Sequence, residues 1–98
     1  MRFKAQLRLT TSEGGRRQTP AAVSWRPIFR VTDEGDGTSF FLEAVDGTLE
    51  PGASCEVWAS LLSPHLFAGQ ILPNVRFGLY EGPRRVADGV ILEVMQQD

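Results

Sequence analysis

The stretch Arg2-Phe3-Lys4-Ala5-Gln6-Leu7-Arg8-Leu9-Thr10 alternates without a break, with Phe3, Ala5, Leu7 and Leu9 apolar and the residues between them polar. A period of two places all four apolar side chains on one side of an extended chain, which makes this segment a half-buried β-strand. Ser12-Glu13-Gly14-Gly15 then interrupts it with turn residues. The same grammar recurs along the chain. Residues 23–31 carry Val23, Trp25, Phe29 and Val31 on one phase, and Pro27 among them calls for an edge position or a bulge because it cannot donate to a ladder. After the turn Asp33-Glu34-Gly35-Asp36-Gly37, residues 38–45 form a third strand. Residues 54–62 set Cys55, Val57, Ala59 and Leu61 against Glu56, Trp58, Ser60 and Leu62. Val75, Phe77 and Leu79 alternate with Arg76, Gly78 and Tyr80, and a last strand over residues 85–95 is interrupted at Gly89, where a bulge is expected.

Residues 64–73 form a longer connection. No window sustains a 3.6-residue period, so no helix is expected. Six strands separated by turn signals make an all-β domain, read as a six-stranded antiparallel β-barrel, a small sandwich being the other arrangement of such a pattern. The chain has 98 residues, which is the size of one domain spanning residues 1–98. No stretch reaches the roughly 20 apolar residues of a membrane-spanning helix, and the N-terminus lacks the apolar run of a secretory signal. A single cysteine, Cys55, offers no internal disulfide. The cytoplasm is the expected compartment.

Charge is unevenly spread. Residues 1–30 hold Arg2, Lys4, Arg8, Arg16, Arg17, Arg26 and Arg30 against Glu13 alone, whereas residues 31–56 hold seven acids and no base. Either the basic segment forms a nucleic-acid surface, or basic strands lie beside acidic ones and neutralise them; the second is the reading adopted.

Catalytic material is scarce. His65, the only histidine, follows Ser63-Pro64 in a loop, and adjacency along a loop does not create a nucleophile–base pair. Cys55 lies on the apolar phase of its strand without a basic neighbour on that face, so it reads as a small buried hydrophobe. One Cys and one His cannot build a zinc site. Asp33 to Gly37 lacks the ligand series that continues a calcium loop, and no phosphate-binding or dinucleotide-binding glycine motif occurs. The expectation is a protein that is not an enzyme and takes no cofactor, metal or nucleotide. What remains is binding, through the arginines and through apolar residues on outward phases such as Trp58 and Leu62, unless the 64–73 connection folds over Trp58.

An ordered set of segments also resembles a known family. Glu13-Gly14-Gly15-Arg16, Thr19-Pro20, Trp25-Arg26-Pro27 with Phe29, Pro51-Gly52, Leu61-Leu62-Ser63-Pro64, Phe77 with Glu81-Gly82, and Arg84 to Val90 are similar in sequence and order to the C-terminal domain (domain III) of bacterial elongation factor Tu. The resemblance spans essentially the whole chain, here read as a stand-alone single-domain module. It implies a six-stranded antiparallel barrel that, in the factor, contacts the T-stem of aminoacyl-tRNA, the GTPase domain and the exchange factor. The implied tRNA positions are altered. Ser63 replaces a basic or polar residue, Ile28 replaces a glutamine, and an acidic turn surrounds Gly35 and Asp36. Gly82 is kept, but Pro83 follows it and removes an N–H donor.

The expected function is therefore a non-catalytic binding module that engages a protein partner or a second copy of itself. Trp58, Leu62 and Ile28 are its apolar contacts and Arg16 and Arg26 its polar ones. The alternative, disfavoured by the altered positions, is tRNA binding through Arg16, Arg17, Gly82, Arg84 and Arg85.

Overall fold

A computed structural model of the chain describes residues 2–10, 25–32, 35–46 and 52–95. Its elements are β1 (Arg2–Leu9), β2 (Ile28–Arg30), β3 (Thr38–Asp46), β4 (Ser54–Leu61), β5 (Arg76–Glu81) and β6 (Arg84–Met95), with one 3-10 turn at Pro64–Phe67 between β4 and β5. The strands close into an antiparallel barrel in the order β1-β4-β3-β2-β5-β6. Closure gives every strand a neighbour on each side, which limits the exposed edges through which an all-β chain pairs with other molecules.

The alternation of residues 2–10 sets the geometry. Phe3, Ala5, Leu7 and Leu9 are fully buried, and β4 answers with Cys55, Val57, Ala59 and Leu61. The centre is aromatic. Phe3 packs edge-on to Phe29, Phe40 and Phe77, with centroids 6.1, 6.2 and 6.1 Å away. Phe29 reaches on to Phe77 at 4.8 Å and to Phe67 at 5.0 Å. Burying side chains of this size contributes about 1.5–3 kcal/mol each before the entropy of ordering is subtracted.

Three expectations are corrected. The second strand is three residues long where residues 23–31 were expected: Trp25–Pro27 lie outside it, and Val23 falls outside the described residues. Pro27 still contributes, because its carbonyl accepts the Phe40 N–H at 3.0 Å while its own missing donor goes unmissed. The expectation of no helix misses the short 3-10 turn. That turn carries Phe67 into the core beneath Phe29, so its apolar residue serves burial rather than a helical stripe.

Gly89 is not at a bulge. It sits in register between Leu7 and Phe77, and the irregularities of β6 fall between its pairs with Lys4 and Ala5 and with Leu79 and Tyr80. Gly89 is required for space. A Cβ there would lie 2.2 Å from Cζ of Phe77.

The β5–β6 hairpin turns on Gly82-Pro83. Gly82 has φ 62°, and a positive first φ followed by a residue with negative φ is the pattern of a II′ hairpin, which proline at the second position satisfies.

Candidate interaction surface

The outer face of β2, β3 and β4 collects the apolar residues singled out from the sequence. Ile28 pairs with Ser39, and the Leu62 N–H donates to the Ser39 carbonyl at 3.0 Å, so Ile28, Ser39 and Leu62 lie in one row across three consecutive chain segments. In the neighbouring row Phe41 pairs with Ser60, and the Arg26 guanidinium lies 5.0 Å above the Phe41 ring. Trp58 follows two residues along β4 on the same side, paired with Ala44. Strand pairing brings Ile28, Arg26, Leu62 and Trp58 onto one surface although they are spread over residues 26–62. Arg16 lies outside the described residues.

Phe41 belongs to this surface and escaped the sequence reading. The signal was present. Phe40 and Phe41 are consecutive in one strand, so if one ring enters the core the other must face outward. Phe40 is buried and Phe41 is half-buried. Exposed apolar side chains also occur on the β4–β5 connection. Three of the four strongly exposed large apolar residues among those described are Leu62, Leu66 and Leu72. Leu62 is 63 % exposed, and its place beside Ile28 and Phe41 makes it part of a contiguous apolar patch.

Trp58 is half-buried. The Arg2 guanidinium lies 5.0 Å from its ring centroid, while the 64–73 connection sends Phe67 into the core. Arg2 is itself fixed by an ion pair to Glu43 at 2.8 Å.

Neutralisation between basic and acidic strands is seen at the start of β1. Arg2 pairs with Glu43 of β3, and Lys4 pairs with Glu56 of β4 at 3.1 Å. The hydrogen bond to Glu56, reinforced by its charge, raises Lys4 above the ordinary lysine range. Arg8, farther along the same strand, stands opposite Ser54 and Asp88 instead.

Of the residues expected to meet RNA, Arg16 and Arg17 lie outside the described residues, while Gly82, Arg84 and Arg85 are exposed on or beside the β5–β6 turn. Arg85 is engaged. It makes an ion pair with Asp88 at 2.6 Å, and its guanidinium lies 5.9 Å from the Tyr80 ring, which Arg30 approaches at 5.4 Å. That cover explains why Tyr80 is buried on an outward phase. Glu81 accepts a hydrogen bond from Trp25 Nε1 at 2.8 Å, which ties the segment entering β2 to the hairpin.

His65 is exposed on the 3-10 turn, and the described residues contain no group of three or more His, Cys, Asp or Glu placed to hold a metal ion. No described helix is long and apolar enough to cross a membrane. Cys55 is buried at 8 % exposure, with Sγ 3.0 Å from the Asp46 carbonyl it donates to. Burial, reinforced by the Asp46 and Glu56 charges, pushes its thiol above the usual range.

Two outcomes follow for Cys55. Alkylation by iodoacetamide at pH 8 is slow in the native protein and becomes fast in denaturant, since the thiolate is the reactive form. Stability declines as pH rises past the ordinary thiol value, because the unfolded thiol loses its proton there while the folded one holds it. Urea midpoints measured between pH 8 and pH 10 show this loss, and Cys55→Ala flattens it.

Comparison of the sequence with protein-family models gives no match.

Proposed function

We propose that this chain is a non-catalytic, cytoplasmic binding module that engages a protein partner through the outer face of β2–β3–β4. The observation that carries the proposal is the joining of Ile28, Phe41, Leu62 and Trp58 on one surface, flanked by Arg26. Aromatic anchors beside arginine are the composition of interface hot spots, and the aliphatic neighbours keep water from them. The resemblance of the sequence to domain III of elongation factor Tu supports the reading, since that domain works by docking onto other macromolecules, and it makes a translation-related partner the first to examine.

Capture from a native lysate by the wild-type chain and by a Phe41→Ser, Leu62→Asp double variant tests the proposal. Both substitutions fall outside the barrel interior, so the fold persists. Proteins held by wild type and lost from the variant support it, and identical recovery by both overturns it. A second copy of the chain as the partner appears as concentration-dependent sedimentation that the variant abolishes.

Binding of tRNA is a second reading, supported by the exposure of Arg84 and Arg85 beside the Gly82 turn. It predicts that labelled tRNA binds at low salt and is released steeply as salt rises, because each neutralised phosphate returns counterions to solution. The absence of binding at low salt excludes it.

A further inference from the structure

On the other side of the barrel, β1, β6 and β5 enclose a groove of about 470 Å³ lined by Gln6, Arg8, Ser54, Arg76, Arg85 and Asp88, with Phe77 and Gly89 in its floor. That is within the roughly 300–1,000 Å³ of small-molecule sites. Three arginines and one aspartate are among its lining residues, and Arg85 is ion-paired to that aspartate. The register accounts for their grouping: Arg8 pairs with Asp88, Asp88 pairs with Gly78, and Arg76 pairs with Val90 two residues farther along β6, so Arg8 and Arg76 flank β6 from either side. Neither Arg8 nor Arg76 makes an ion pair with any described residue.

Arg85 is held from several directions. Asp88 binds its Nη2, the Tyr80 ring lies beneath it, and it passes over Gly78, where a Cβ would sit 3.0 Å from its Cζ. Gly78 thus makes room for a guanidinium laid flat against the sheet. An arginine ordered in this way loses less entropy when it closes on an oxyanion.

We propose that this groove binds a compact phosphate-bearing small molecule, its oxyanion held between Arg8 and Arg76, with Arg85 as the third donor. Phosphate is favoured because planar guanidinium forks match its oxygens in pairs, and because three arginines against one aspartate leave the groove's lining with a net excess of two positive charges. A nucleic-acid backbone would call for a stripe of basic groups along its path. Here Gln6 and Ser54 extend the lining toward β4, where Glu56 is the next outward residue. Asp88 is the opposing charge. It holds Arg85 in place but repels the ligand, so its removal strengthens binding. The site is distinct from the β2–β3–β4 surface and stands or falls independently of it.

Inorganic pyrophosphate titrated into the 15N-labelled full chain at low salt, followed on arginine Nε–H and backbone amide signals, is the test. Saturable shifts confined to Arg8, Arg76, Arg85 and Gly89 are expected. Arg8→Gln and Arg76→Gln each weaken binding roughly tenfold, the loss of a charge-assisted hydrogen bond. Asp88→Asn tightens it, an effect opposite in sign to any loss of fold, and Arg76→Lys restores only part of the affinity. Shifts that never saturate, shifts spread over Arg26 and Arg84 alike, or affinity indifferent to Arg8→Gln and Arg76→Gln overturn the proposal. So does a single-stranded RNA decamer that binds the groove and is not displaced by pyrophosphate.

Discussion

Phe29→Ala lowers the melting temperature by roughly 20 °C, the consequence of about 4 kcal/mol in a domain of this size. The ring is fully buried and touches Phe3, Phe67 and Phe77, so its removal leaves a cavity among rings that cannot collapse into it. The position of Phe29 in the barrel adds to the cost. β2 is only three residues long and holds β3 through two residue pairs and β5 through three. So short a ladder supplies few hydrogen bonds, and the Phe29 side chain is what anchors it. Thermal unfolding with a parallel urea titration measures the loss, and Phe41→Ala is the control. Phe41 is as large and lies on the next strand, but it is half-buried on the outer face, so its truncation costs under about 1 kcal/mol. Equal destabilisation by the two substitutions would show that burial, as described for this barrel, does not govern its stability.

Gly89→Ala is the second severe change, although it adds one methyl group. The new Cβ would meet Phe77 at 2.2, 2.6 and 2.7 Å, and the ring cannot retreat because Phe3, Phe29 and Phe40 surround it. Overpacking of this kind costs about 3 kcal/mol, at the upper end of the usual range. Glycine's conformational freedom plays no part, since Gly89 lies in regular register between Leu7 and Phe77. The double variant Gly89→Ala, Phe77→Leu isolates the cause. The smaller side chain makes space for the methyl, so the pair costs less than its two members summed, by about 1–2 kcal/mol of coupling. Strict additivity would place the strain elsewhere, in the backbone of β6.

Where one face of the chain meets the core and the other meets solvent, the sequence was readable. β1 and β4 follow their alternation residue by residue, because a period of two leaves a half-buried strand no other arrangement. The strand expected over residues 23–31 shortens to Ile28–Arg30, because Val23, Trp25, Phe29 and Val31 keep strand phase through a segment whose central proline cannot complete a ladder. β5 broke the pattern differently. Gly78 and Tyr80 are outward yet buried, because Arg85 lies over both of them and Arg30 over Tyr80, and no local periodicity encodes a long side chain arriving from another strand.

The candidate surfaces divide in the same way. Trp58 and Leu62 were legible from phase, and Phe41 was available from the Phe40-Phe41 pair. The groove of Arg8, Arg76 and Arg85 was not legible, since its members come from three strands and only pairing partners bring them together. Charge shows the same limit. Counting predicted mutual neutralisation of basic and acidic segments, and Arg2 and Lys4 conform to it. Arg8, on the same strand, instead stands opposite Asp88 and lines a groove with Arg76 of β5 and Arg85 of β6.

The sequence by itself determined that six alternating strands with turn residues between them build an all-β domain, because apolar side chains at a period of two must share a buried face. It also determined which residues fill the interior of β1 and β4. Only the tertiary structure decided the order of strands around the barrel, and with it which outward residues become neighbours. Register between strands distant in the chain is set by packing of the whole aromatic core, and it is this register that joins Ile28 to Leu62 on one side and Arg8 to Asp88 on the other.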